Sequence, residues 1–263
     1  MDTPPALTGW IWIKQGFALF RKQPAELSTL FLSYMFLMLA IGIVPLFGQV
    51  LPLMLVPVFS ITFMQACVNV ESGKRVYPNL LLTGFRSPAI KRLLLLGVLY
   101  LLAAVMAMGI SSLVDGGVFW QMMTGRAAID ARTMRASNML LAMLVAALVY
   151  IPAAMAFWFA APLAAWQGMS LPKAIFYSFF AVRRSGKAFL VYLFGWLVIG
   201  VILPLLISSL LAVLTGKAFV TVLVLLPLSI ILTVIMYCSF YSTYTSVFGK
   251  PAPVLPRADP APR

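Results

Sequence analysis

Six long stretches of this chain contain no Asp, Glu, Lys, Arg or His. They lie at about 27–45, 49–70, 93–114, 138–163, 188–214 and 218–243. A helix needs about 20 mostly apolar residues to cross a hydrocarbon core about 30 Å thick. A charge at the bilayer centre costs about 2.5–3.5 kcal/mol on insertion scales, so clean segments are the ones that insert. The pattern predicts an all-α integral membrane protein with six transmembrane helices. It also excludes a soluble fold. Of the 263 residues, 63% are hydrophobic and 10% charged, which is more apolar surface than a soluble domain of this size buries. One membrane domain over residues 9–249 is expected, with a flexible stretch at 1–8. The Pro-rich end at 250–263 reads as disordered or polyproline-like.

The net charge is +13, which in a soluble chain would suggest nucleic acid. The positions of the charges point elsewhere. Fifteen of the 19 Lys and Arg fall before the odd-numbered spans or in the tail, and four fall in the alternate loops. Lys and Arg gather on the cytoplasmic side of inserted proteins. The expectation is a multi-pass protein of the bacterial inner membrane, with both termini cytoplasmic and no nucleic-acid partner.

The basic segments show an approximate internal repeat. In GWIWIKQGFALFRKQP, residues Trp10, Ile13, Phe17 and Phe20 share one helix face while Lys14, Arg21 and Lys22 lie off it. This predicts an amphipathic interfacial helix anchored by Trp10 and Trp12. The alternative is an extension of the first span packed on its neighbours. Before the fifth span, Ile175, Phe179 and Val182 again share a face. A constant offset of 162 places Phe17 on Phe179, Arg21 on Arg183, Lys22 on Arg184 and Pro24 on Gly186. Before the third span, Phe85-Arg86 matches Phe20-Arg21 more loosely. The expected plan is three hairpins, each preceded by a basic amphipathic interfacial helix.

Pro45, Pro57, Pro152, Pro204 and Pro227 are candidate kinks, because proline removes a backbone donor. Ala142/Ala146 and Ala156/Ala160 have the small-xxx-small spacing that lets helices approach closely, and Gly97, Gly109, Gly195 and Gly200 can act similarly. In the loop 115–137, Phe119, Trp120, Met122 and Met123 suggest an interface-dipping turn or short helix. Arg126, Arg132 and Arg135 follow on the same loop. Cys67 and Cys238 sit inside apolar stretches and read as small buried hydrophobes.

Ser178-Phe179-Phe180 with Arg183-Arg184 and Phe189-Leu190, approached through Gly168, Pro172 and Ala174, resembles a group of bacterial inner-membrane proteins of unknown function, the proteobacterial BPSS-type family. More distantly, the chain is similar to the membrane domain of some glycerophosphodiester phosphodiesterases. The resemblance implies a six-helix inner-membrane protein. The carboxylates and metal of that enzyme belong to a soluble domain without a counterpart among these residues, so its activity is not implied.

Chemistry is sparse. There is no histidine, and six carboxylates are spread along the chain. Asp115 and Glu26, beside span ends, are far apart in the chain. No catalysis, cofactor or metal is expected. The favoured reading is a non-catalytic protein whose basic helices contact anionic phospholipid headgroups or organise partners in the envelope. Arg21, Lys22, Arg86, Lys91, Arg92, Arg183, Arg184 and Lys187 are the candidate contacts. A homo-oligomer or a membrane-protein partner fits the same surface. The alternative is a permease or exporter subunit for a lipid or small molecule, not coupled through intramembrane ionisable groups.

Overall fold

A computed structural model describes residues 4–44, 48, 50–123 and 138–251. Among them there are helices and turns and no strand. α1 is Thr8–Phe20, α2 Pro24–Gly42, α3 Leu51–Glu71, α4 Ile90–Asp115 and α5 Val118–Met123. After the undescribed 124–137 come α6 Met139–Phe157, α7 Ala160–Trp166, α8 Leu171–Arg184 and α9 Gly186–Leu197. A π-helical turn, Val198–Ile202, joins α9 to α10 Leu203–Thr215, and α11 is Ala218–Phe248. Six helical stretches are long and apolar enough to cross a membrane: α2, α3, α4, α6 with α7, α9 with α10, and α11. Each overlaps one of the six uncharged stretches. Their boundaries follow capping chemistry. Pro24 and Pro172 occupy first-turn positions, where a missing N–H costs nothing. Gly116 and Gly216 close α4 and α10 at φ +67° and +60°, left-handed conformations that suit glycine.

The helices form two packed sets. α3, α4, α6, α7 and α8 make one, and α1, α2, α9, α10 and α11 the other. They join where α3 meets α2 and α11. One end of the bundle gathers most of the described cations and is here called the basic end. There Lys250 pairs with Glu71 at 3.1 Å, and Tyr241 donates to the same carboxylate oxygen at 3.0 Å. Gln23 donates to the Lys74 carbonyl and accepts from the Val76 N–H, tying the α1–α2 corner to the segment after α3. Away from that end the helices show large apolar side chains to the surroundings: Leu205, Val213, Leu214 and Phe219 are all more than half exposed. Such a surface is stable against lipid chains.

α1 departs from the expected interfacial helix. Its buried line is Gly9, Trp12, Ile13, Gly16 and Leu19, and it lies along α9 and α11. Trp12 is fully buried, with its ring 5.2 Å from Phe189 and 5.9 Å from Tyr192. It is therefore a core residue and no interface anchor. Trp10 is 38% exposed. The two glycines account for the close approach. A Cβ on Gly9 would collide with the Ala188 carbonyl, and one on Gly16 would lie 2.6 Å from the Ser239 Cβ.

The segment before α4 holds a five-residue 3-10 turn, Pro78–Leu82, and no amphipathic α-helix. Pro24 and Gly186, paired by the 162-residue offset, do open α2 and α9. Of the candidate kinks, Pro57, Pro152 and Pro227 lie inside unbroken helices. Pro204 follows the π-helical turn. Pro45 lies outside the described residues, as do Arg126, Arg132, Arg135 and residues 252–263. The fourth span breaks elsewhere, at Trp158-Phe159 between α6 and α7. Pro162 stands four residues beyond Trp158 and cannot donate to its carbonyl. Ser178 of α8 completes the break. Its Oγ accepts from the Phe159 N–H at 2.8 Å and donates to the Met155 carbonyl at 2.9 Å.

Candidate functional site

Two of the cavities that combine space with polar groups also have tyrosine in their walls. The first is at the basic end. α8 buries Leu171, Ala174, Ser178 and Val182 against the bundle, which turns Phe176, Tyr177 and Phe180 outward. Beside it is a cavity of about 760 Å³ lined by Arg184, Tyr177, Gln167, Ser185, Ser246 and Phe180 among others. Gln167 donates to the Tyr244 hydroxyl at 3.2 Å, which fixes the amide on this wall. On the other flank of α8 an apolar cavity of about 650 Å³ shares Phe180 and is walled by Leu95, Leu99, Ile175 and Phe179.

Seven of the eight basic residues singled out above are exposed: Arg21, Lys22, Arg86, Lys91, Arg183, Arg184 and Lys187. Arg184 alone of the eight lines the larger cavity. Arg92 is half-buried, and its Nη1 donates to the Gly168 and Met169 carbonyls at 2.7 Å each. It clamps the loop between α7 and α8 and so helps to position α8.

The second place is inside the bundle, in the cleft between the two sets. Every spanning stretch contributes to its wall, including Tyr34 of α2, Phe59 of α3, Tyr100 of α4, Tyr150 of α6, Trp196 of α9 and Tyr237 of α11. Its volume is about 380 Å³. Tyr34 and Tyr100 each lie ten residues past the start of their helix at the basic end. At 1.5 Å per residue this is about 15 Å, halfway across a bilayer core. The α6–α7 break floors the cleft on the basic side. It pushes Trp158 against Tyr192 and Phe240, and Phe159 against Tyr244 and Phe248. No Asp, Glu, Lys or Arg lines this cavity.

These aromatic residues are not among the sites the sequence predicts. A signal for them was present. Tyr and Trp usually mark the ends of spans, at the headgroup level, whereas Tyr34, Tyr100, Tyr150, Tyr192 and Tyr237 stand well inside theirs. Among the small residues, Gly97 meets the Met54 backbone and Gly195 meets Ile13, while Gly109 has nothing within 4 Å and Gly200 only Trp196 of its own helix. The Cys67 and Cys238 thiols, on α3 and α11, are free and buried. Among the described residues no His, Cys, Asp or Glu cluster has metal-binding form.

Six uncharged spans, a basic end and an aromatic interior define a polytopic helical membrane protein. The chain is 37% identical over 257 residues to a protein of Burkholderia thailandensis described as a probable inner membrane protein, covering 96% of this chain and 95% of that one. The chain belongs to the family of that inner-membrane protein. No family model matches the chain, and no solved structure matches it. The more distant likeness to phosphodiesterase membrane domains finds no support in these comparisons.

Proposed function

We propose that the protein is a non-catalytic inner-membrane protein that holds anionic phospholipid at its basic end. The observation that carries this reading is the cavity beside α8, where Arg184 shares the wall with two serines, an amide and a tyrosine above the apolar side chains of Phe180 and Phe248. A guanidinium offers a phosphate two parallel donors, and the hydroxyl and amide groups add more. The exposed rings of Phe176 and Phe180 lie where acyl chains begin. Arg21, Lys22, Arg86, Lys91, Arg183 and Lys187 enlarge the positive field, each adding about 1 kcal/mol near an anionic leaflet. In this reading the basic end faces the cytoplasm and both termini lie there. A permease needs a path through the bundle, which lipid retention at α8 does not.

The test is native mass spectrometry of protein released from nanodiscs of equal phosphatidylglycerol and phosphatidylcholine. Retained lipid should be mostly phosphatidylglycerol, and Arg184→Gln should lower its retention about fivefold, the equivalent of about 1 kcal/mol. Equal retention of the two lipids, or retention unchanged by Arg184→Gln and by joint neutralisation of Arg21, Arg183 and Arg184, refutes the reading.

A further inference from the structure

The mid-membrane cavity has a second chemistry, independent of the lipid site. Its walls are rings held in place by other rings. Tyr34 packs 5.0 Å from Phe59, Tyr237 stacks on Phe63 at 4.3 Å, and Tyr100 stacks on Phe157 at 4.7 Å. Several polar atoms on the wall are already bonded. The Tyr100 hydroxyl donates to the Phe157 carbonyl at 3.1 Å. The Tyr192 hydroxyl and the Trp196 Nε1 both meet Ser239 Oγ, at 2.8 and 3.2 Å. The hydroxyls of Tyr34, Tyr150 and Tyr237 have no hydrogen-bond partner among the described residues, although all three side chains line the cavity. Water and headgroups are scarce at this depth, so an unmatched hydroxyl is costly.

We infer that this cavity is a binding site for a neutral, flat aromatic molecule that carries a hydrogen-bonding oxygen. A volume of about 380 Å³ falls in the usual range for small-molecule sites. Ring faces reward a planar aromatic guest by offset or edge-on stacking, and the three free hydroxyls donate to or accept from its oxygen. A charged guest finds no counter-charge among the lining residues. An aliphatic chain would leave the hydroxyls unmatched. The cleft lies between the two helix sets, so a guest dissolved in the bilayer reaches it without crossing the basic end.

Radiolabelled 2-naphthol, dialysed against the purified protein in detergent with empty micelles subtracted, tests the inference. One saturable site per chain is expected. Ala154→Trp, which fills the cavity, should weaken binding at least about tenfold, the scale of losing a stacked ring contact. Tyr150→Phe and Tyr237→Phe should each weaken it about three- to tenfold, the value of one hydrogen bond. The tyrosine variants keep ring volume, so they carry the test if Ala154→Trp does not fold. Absence of saturable binding overturns the inference, as does binding indifferent to all three substitutions. Displacement by 1-decanol as effective as by unlabelled 2-naphthol makes the site a chain groove, and stronger displacement by tetraphenylphosphonium makes it a cation cage. Either result also overturns the inference, and neither bears on lipid retention at Arg184.

Discussion

At the scale of single residues, small side chains decide how close the helices come. Gly16 touches Ser239 across the α1–α11 contact, and an added Cβ would lie within 2.8 Å of its backbone nitrogen. Gly109 is on a surface with nothing within 4 Å. The two positions look alike in sequence, each a glycine in a largely apolar helix. Partner geometry separates them, and a one-dimensional pattern does not contain it. Gly16→Ala should destabilise the fold by about 1–3 kcal/mol, the usual cost of overpacking. Gly109→Ala should be neutral, or stabilising by up to about 1 kcal/mol through helix propensity. Thermal unfolding of the two variants in one detergent reads the difference, and equal midpoints would contradict this packing.

At the scale of elements, the spans were legible because one physical rule writes them. A lipid-crossing helix must be long and uncharged, and all six stretches obey. The surface helices were harder to read. A stripe of Trp10, Ile13, Phe17 and Phe20 fits an interfacial helix, yet α1 buries the neighbouring line through Trp12 because Gly9 and Gly16 open a route to α9 and α11. The break in the fourth span shows a similar limit. Pro152 and Pro162 both signal a kink, but the helix parts before Pro162 because Ser178 from a separate helix bonds the freed backbone. Ser178→Ala removes both bonds and leaves the buried Phe159 N–H unpaired. The expected cost is about 1–3 kcal/mol, with faster amide exchange at Phe159. Unchanged exchange there would show that Pro162 alone sets the break.

At the scale of the whole molecule, charge scarcity does two things. It lets six helices enter lipid, and it moves the available chemistry to the basic end and to aromatic hydroxyls and indoles within the bundle. Of the eight cations the sequence singles out, Arg184 lines a cavity and six others are exposed. The aromatic cavity was not legible in the sequence, since its residues come from every span and share no sequence spacing. The proposed lipid site adds an orientation to the six crossings, with the basic end in the cytoplasm. Single cysteines placed at Ser72 and at Thr215, in a chain with Cys67 and Cys238 changed to Ala, test it with a membrane-impermeant maleimide on intact spheroplasts. Six crossings in this orientation predict labelling at position 215 before lysis and at position 72 only after it. Labelling at 72 in intact cells, or at both positions, would contradict the arrangement.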